Sequence, residues 1–97
     1  MTPEAHLRVT IRQDAGVVVA HLEGEIDLAT APQVQRRLEP MLDEHDGLEV
    51  DLGGLTFMDS AGLHLLEALA ARARARGHRF EVRGATGGVA RLLALAN

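Results

Sequence analysis

Leu55-Thr56-Phe57-Met58-Asp59-Ser60-Ala61-Gly62-Leu63 decides how this chain is read. The stretch follows an alternating apolar run and precedes a long helical pattern, so it is a strand-to-helix turn. Ser60, next to the carboxylate of Asp59, falls where the helix starts. Backbone N–H groups at a helix start lack intrahelical partners and point outward, so a serine there is presented on a partly positive surface. The plainest role of Asp59-Ser60 is a helix cap, worth roughly 1 kcal/mol. Capping does not account for Leu55, Phe57 and Met58, which read as an exposed apolar lead-in or as half-buried packing.

Working outward, Leu48-Glu49-Val50-Asp51-Leu52 alternates as a strand, and Gly53-Gly54 is expected to break it before the turn. Downstream, the helix runs from about Ser60 to Arg76, with Leu63, Leu66, Leu69, Ala70 and Ala73 as its apolar stripe. Arg72, Arg74 and Arg76 suit the negative end of the helix dipole, and Gly77 suits the position after the last turn. Arg79–Arg83 alternates again as a strand. Gly84–Gly88 is a turn with Thr86 as an N-cap, and Val89, Leu92, Leu93 and Ala96 mark a short final helix.

Towards the N-terminus, Leu7–Arg12 places Leu7, Val9 and Ile11 on one face and Arg8, Thr10 and Arg12 on the other. The turn Gln13–Gly16 leads into the more continuously apolar Val17–Glu23, so the two strands form an antiparallel hairpin. A helix then starts at Thr30, with Pro32 in its first turn and Gln33 completing a capping box. Val34, Leu38, Met41 and Leu42 give it one apolar face, and Pro40 is expected to kink or divide it.

The order is strand, strand, helix, strand, helix, strand, helix. This is an α/β pattern whose crossovers imply parallel pairing after the first hairpin. The expected architecture is a four-stranded mixed sheet packed with about three helices, in one domain spanning 1–97 with a loose end at 1–5.

Composition narrows the chemistry. With 46% hydrophobic and 25% charged residues the chain is globular. Two Phe and no Trp or Tyr leave no stacking platform for single-stranded nucleic acid. Net charge is −4, and the arginines between Arg72 and Arg83 read as a solvated helix end, so no direct nucleic-acid contact is expected. The absence of cysteine removes thiolate nucleophiles and ligands, and the absence of lysine removes a Walker-type phosphate loop. There is no Gly-x-Ser-x-Gly elbow. His6, His21, His45, His64 and His78 lack metal-ligand spacing. Gly84-Ala85-Thr86-Gly87-Gly88 reads as a tight turn rather than a phosphate cradle. No apolar run approaches the ~18 residues of a membrane span, and the polar Met1–His6 has no signal-peptide core. A cytoplasmic, non-enzymatic domain with no cofactor and no membrane insertion is expected.

The segment Leu55–Leu63 resembles the signature of STAS-domain anti-sigma factor antagonists, and Gly24-Glu25-Ile26-Asp27 resembles that family's second recurrent segment. The likeness runs from about Leu7 to Leu95. It implies a STAS-like fold and a switch in bacterial transcription regulation. In that family the unmodified antagonist binds an anti-sigma factor that is also a serine kinase, and so frees the sigma factor. The kinase phosphorylates the first serine of the motif, here Ser60, and a PP2C-type phosphatase reverses this. The resemblance thus implies Ser60 as phosphoacceptor and places Asp27, Glu25, Phe57, Met58, Asp59, Ala61, Gly62 and Leu63 at the partner surface. Ala61 stands where many relatives carry a second serine, leaving one hydroxyl in the motif.

The same domain also serves as a subunit of lipid-transport ABC complexes, which is the second expectation. Many antagonists continue past the equivalent of Leu93-Ala94-Leu95-Ala96-Asn97 through a further strand and helix, so this chain is expected to be a compact version or to lack that surface. A monomer or weak dimer is expected.

Overall fold

A computed structural model describes residues 7–96. The loose end expected at 1–5 lies outside the described residues. Strand β1 (Leu7–Asp14) turns through Ala15 and Gly16 into β2 (Val17–Ile26). Both turn residues have positive φ, 52° and 85°, as a two-residue hairpin turn matching strand twist demands. The strands pair antiparallel from Asp14 opposite Val17 to Leu7 opposite Gly24.

Helix α1 (Ala31–Glu44) crosses over to β3 (Gly47–Met58), and α2 (Ser60–Arg76) crosses to β4 (Arg79–Arg83). Helix α3 (Gly87–Ala96) follows. The sheet order is β1-β2-β3-β4, with β2–β3 and β3–β4 parallel. This is the mixed sheet and three-helix set that the alternating pattern predicts.

The core lies between the sheet and the helical layer. Val18, Ala20 and Leu22 of β2 and Leu48, Val50 and Leu52 of β3 meet Val34, Leu38 and Leu42 of α1 and Leu65, Leu66 and Leu69 of α2, all buried. Alternate residues of the four strands, among them Arg12, His21, Glu49, Asp51, Glu81 and Arg83, form the opposite, polar face of the sheet. There His21 Nδ1 lies 3.1 Å from Asp51 Oδ2.

Three local expectations are corrected. First, Gly53-Gly54 does not break the strand. β3 runs unbroken from Gly47 to Met58, and its register against β2 shifts twice, after His21 and after Gly24. Each shift adds one residue to β3, so Leu52, Leu55 and Met58 all point inward at a spacing of three. Glycine is needed at position 54 because a Cβ there would lie 2.7 Å from Glu23 Cγ and 3.1 Å from the Leu22 carbonyl oxygen.

Second, Pro40 does not divide α1. It sits on the exposed side, while Val34, Leu38 and Leu42 pin the opposite face through both halves. Third, the Thr30 hydroxyl caps no N–H group of α1. It is turned back to the end of β2 by the network described below.

The ends of α1 and α2 are tied together by Asp43. Arg72 donates to both of its carboxylate oxygens, at 2.8 and 2.6 Å, and Arg76 Nε approaches at 2.6 Å. The Arg72 hydrogen bonds, aided by the charges of both guanidinium groups, outweigh partial burial and hold the Asp43 carboxyl down at about 2, against an ordinary 3.8. A carboxyl depressed by folding stabilises the fold above its ordinary value, and that contribution is lost as pH falls through the depressed one. Asp43→Asn should therefore be less stable than the parent at neutral pH, with the gap closing between about pH 4 and about pH 2. Urea midpoints of both proteins across that range check this.

Candidate functional site: the β3–α2 turn

The turn is built by the ends of two neighbouring parallel strands. Ile26 pairs with Met58 at the end of the β2–β3 ladder, and the Asp59 N–H donates to the Ile26 carbonyl at 3.3 Å. This brings the segment after β2 beside the segment after β3. Crevices at the carboxyl ends of parallel strands are where α/β folds place their sites.

Each segment carries an aspartate that organises a helix entry. Asp59 is the N-cap of α2: its backbone is extended, and its Oδ1 accepts from the Ala61 N–H at 2.8 Å. Its carbonyl oxygen accepts from the Gly62 N–H at 3.0 Å. Of the Asp59-Ser60 pair, the aspartate therefore does the capping, and Ser60 is left as the first helical residue, exposed. A carboxylate suits that position because it satisfies an orphan donor at the positive end of the helix.

Asp27 does the same for α1 from further upstream. Its Oδ1 accepts from the backbone N–H groups of Ala29 and Thr30 at 2.9 and 3.0 Å. The Thr30 hydroxyl accepts from the Asp27 N–H at 2.9 Å and donates to the Glu25 carbonyl at 3.0 Å. This side-chain network, rather than a capping box, sets where α1 begins. It also ties the Asp27 side chain and the Glu25 carbonyl to the start of α1.

Gly62 lets the start of α2 settle onto the strand ends. A Cβ at that position would collide with Met58 Cγ, lie 2.7 Å from Met58 Sδ and lie 3.2 Å from Ile26 Cγ2. The buried stripe of α2 is accordingly Gly62, Leu65, Leu66, Leu69 and Ala73. Leu63 and Ala70, expected within the stripe, are only half-buried.

The apolar lead-in is also corrected. Leu55 and Met58 are buried, at 4% and 6% exposure, and only Phe57, at 46%, faces outward. Among the residues the resemblance assigned to a surface, Ser60, Glu25 and Phe57 are exposed, and Asp27, Asp59, Ala61 and Leu63 are half-buried. Met58 and Gly62 lie inside and support the turn from below.

Two apolar residues escaped the sequence reading. Leu28, between Asp27 and α1, is 81% exposed, and Leu95 on α3 is 84% exposed. Leu28 overlooks a groove between α1 and α2 lined also by Pro32, Ala61 and His64. Phe57 and Leu95 share a second groove between the end of β3 and α3. Leu28 breaks no periodic pattern because it sits in a four-residue turn, so periodicity offers no signal for it. Leu95 belongs to the short final helix, whose only buried residue is Val89.

The turn thus combines an exposed hydroxyl at a helix start, carboxylates on the adjoining segments and exposed apolar side chains. Among the described residues no group of three His, Cys, Asp or Glu is arranged to hold a metal ion. No described helix is long and apolar enough to cross a membrane.

A family model described as "Mlab, STAS domain" matches residues 9–97. The anti-sigma-F factor antagonist RsfB of Mycobacterium tuberculosis is 35% identical over 69 residues, which are 70% of this chain and 57% of that protein. The chain spans little more than half the length of the curated relatives it matches. The crystal structure of an anti-sigma factor antagonist from Mycobacterium paratuberculosis superposes with a TM-score of 0.81 at 24% identity, covering 99% of this chain and 82% of that one. The Bacillus cell fate determinant SpoIIAA in its phosphorylated form superposes with a TM-score of 0.76 at 17% identity, covering 93% and 84%. The last two likenesses, at low identity, are likenesses of fold. With the match of the family model over nearly its whole length, and with this sheet order and this turn, the chain belongs to the STAS-domain family.

Proposed function

We propose that this chain antagonises an anti-sigma factor through the β3–α2 turn and is switched off by phosphorylation of Ser60. The observation that carries the reading is the exposed Ser60 at the first position of α2, with Asp59 already acting as the cap. A hydroxyl in that place has no structural duty that modification would disrupt. The similarity to proteins named as anti-sigma factor antagonists supports the partner class.

In this reading the unmodified turn docks on an anti-sigma factor that is also a serine kinase. Leu28 and Phe57, both exposed, supply apolar contact, and Glu25, Asp27, Ala61 and Leu63 complete the partner surface. Met58, Asp59 and Gly62 fix the geometry from within. Phosphate on Ser60 adds about −1.5 to −2 charges beside Asp59. The N-terminus of α2 tolerates that charge, so the fold survives, while an apolar interface does not. A PP2C-type phosphatase restores the docking form. The reaction belongs to the partners: the chain is a substrate of the kinase and acts in the cytoplasm.

The test is displacement. Added to a preformed complex of sigma factor and anti-sigma kinase, the unmodified chain should release the sigma factor, and prior incubation with kinase and ATP should abolish release. The same domain also serves as a subunit of lipid-transport ABC complexes, which is the rival reading. Failure to displace any sigma factor, together with co-purification of an ATPase and a permease, would favour that rival.

A further inference from the structure

We infer that the free edge of β1 pairs with the same edge of a second copy of this chain, in an antiparallel register centred on Ile11. Among the described residues β1 is an outer strand of the sheet, eight residues long, and pairs with β2 without a bulge. An edge strand turns half of its N–H and C=O groups outward as a template for another strand, and proteins usually blunt such edges with charged side chains, proline, bulges or very short length. β1 contains no proline, and its charged side chains, Arg8, Arg12 and Asp14, are of both signs, so they repel a generic strand less than they can pair with a second copy of themselves. Val9 and Ile11, on its core-facing side, remain only half-buried at the rim of the helical layer.

The sequence of the strand selects the partner and the register. A two-fold axis perpendicular to the sheet places each residue opposite one on the same face of the second copy. Centred on Thr10 or Arg12, the pairing sets arginine against arginine: Arg8 against Arg12 in the first, Arg12 against itself in the second. Centred on Ile11, it sets Arg8 opposite Asp14 twice, Arg12 opposite Thr10 twice, and Ile11 against its own copy. This register uses Arg8 to Asp14, all of the strand but its first residue. Arg8, Thr10, Arg12 and Asp14 are all exposed on the polar face, so the cross-strand charge pairs form without burying an unpaired ion. The product is one continuous eight-stranded sheet, with the helices of both copies on one side. The docking turn at Ser60 belongs to β3 and α2 and takes no part in this edge.

Sedimentation equilibrium on the full chain should show a reversible dimer. Arg8→Asp and Asp14→Arg should each weaken it by about tenfold or more, because two charge pairs become two repulsions. The double variant Arg8→Asp/Asp14→Arg should restore it. Both positions are exposed, and circular dichroism verifies folding. Since the chain has no cysteine of its own, Ile11→Cys gives a second reading. Opposite residues on the axis have Cα atoms about 4.5–5.5 Å apart, within disulfide range. Ile11→Cys should therefore oxidise to a cross-linked dimer much faster than a control cysteine at exposed Ala71. A chain that stays monomeric at millimolar concentration overturns the proposal. So does a dimer indifferent to the charge swaps, and so does an edge that takes up an extended peptide but not a second copy.

Discussion

Ser60→Asp should bind its anti-sigma partner at least about a hundredfold more weakly than the parent chain, because a fixed negative charge set into an apolar, already acidic docking surface costs several kcal/mol. Its far-ultraviolet circular dichroism should not change. Asp59, not Ser60, makes the capping bond to the Ala61 N–H, so the substitution removes no bond that holds the helix. An acid at the first helical position also interacts favourably with the helix dipole, by about 0.3–1 kcal/mol, so the thermal midpoint should hold or rise slightly. Ser60→Ala should bind at least as well as the parent and should not respond to kinase and ATP. Isothermal calorimetry with the three proteins separates loss of docking from loss of fold. Binding by Ser60→Asp equal to that of the parent would count heavily against the account.

Gly62→Val should be the most damaging single change at the turn. The first carbon beyond Cα already collides with Met58 and crowds Ile26, and valine adds two more. Both neighbours are buried, so neither can swing into solvent. Overpacking of this kind costs about 1–3 kcal/mol, and the strained contacts at two neighbours put this case near 3. That is a large share of the roughly 5–15 kcal/mol by which such domains are stable. Gly62→Ala should cost less. Combined with Met58→Ala, which clears the space, it should cost less than the sum of the two single changes. Urea unfolding of the four proteins measures that coupling. Strict additivity would mean that Met58 is not what forbids a side chain here.

The succession of elements and the hairpin were legible because alternation in β1 and β4 and the apolar run in β2 are the direct signature of half-buried and fully buried strands. The position of the turn was legible for a similar reason: period two gives way to a helical pattern within Leu55–Leu63. Orientation inside the turn was not. Two bulges in β3 reset its alternation, so Leu52, Leu55 and Met58 all face inward at a spacing that neither a plain strand nor a helix produces. Gly53-Gly54 carried the signal for an interruption, and a bulge is the milder form of one.

The cap of α2 is as the residues imply, and that of α1 is not. Asp59 takes the expected cap, whereas at α1 the side chain of Asp27 reaches forward and turns the Thr30 hydroxyl away. Leu28 lay beyond sequence reading altogether, because one leucine in a short turn has no periodic partner to set its direction. Its exposure is a property of the assembled ends of β2 and α1. Met58 and Gly62 illustrate the reverse case: residues next to the switch serve it by packing beneath it.

The account turns on one hydroxyl. Incubation of the purified chain with its cognate anti-sigma kinase and ATP, followed by peptide mapping by mass spectrometry, tests it most directly. A single phosphate on Ser60 and none on Ser60→Ala is the expected result. An unmodified chain, or a phosphate carried by Thr56 or Thr30 in place of Ser60, would contradict it.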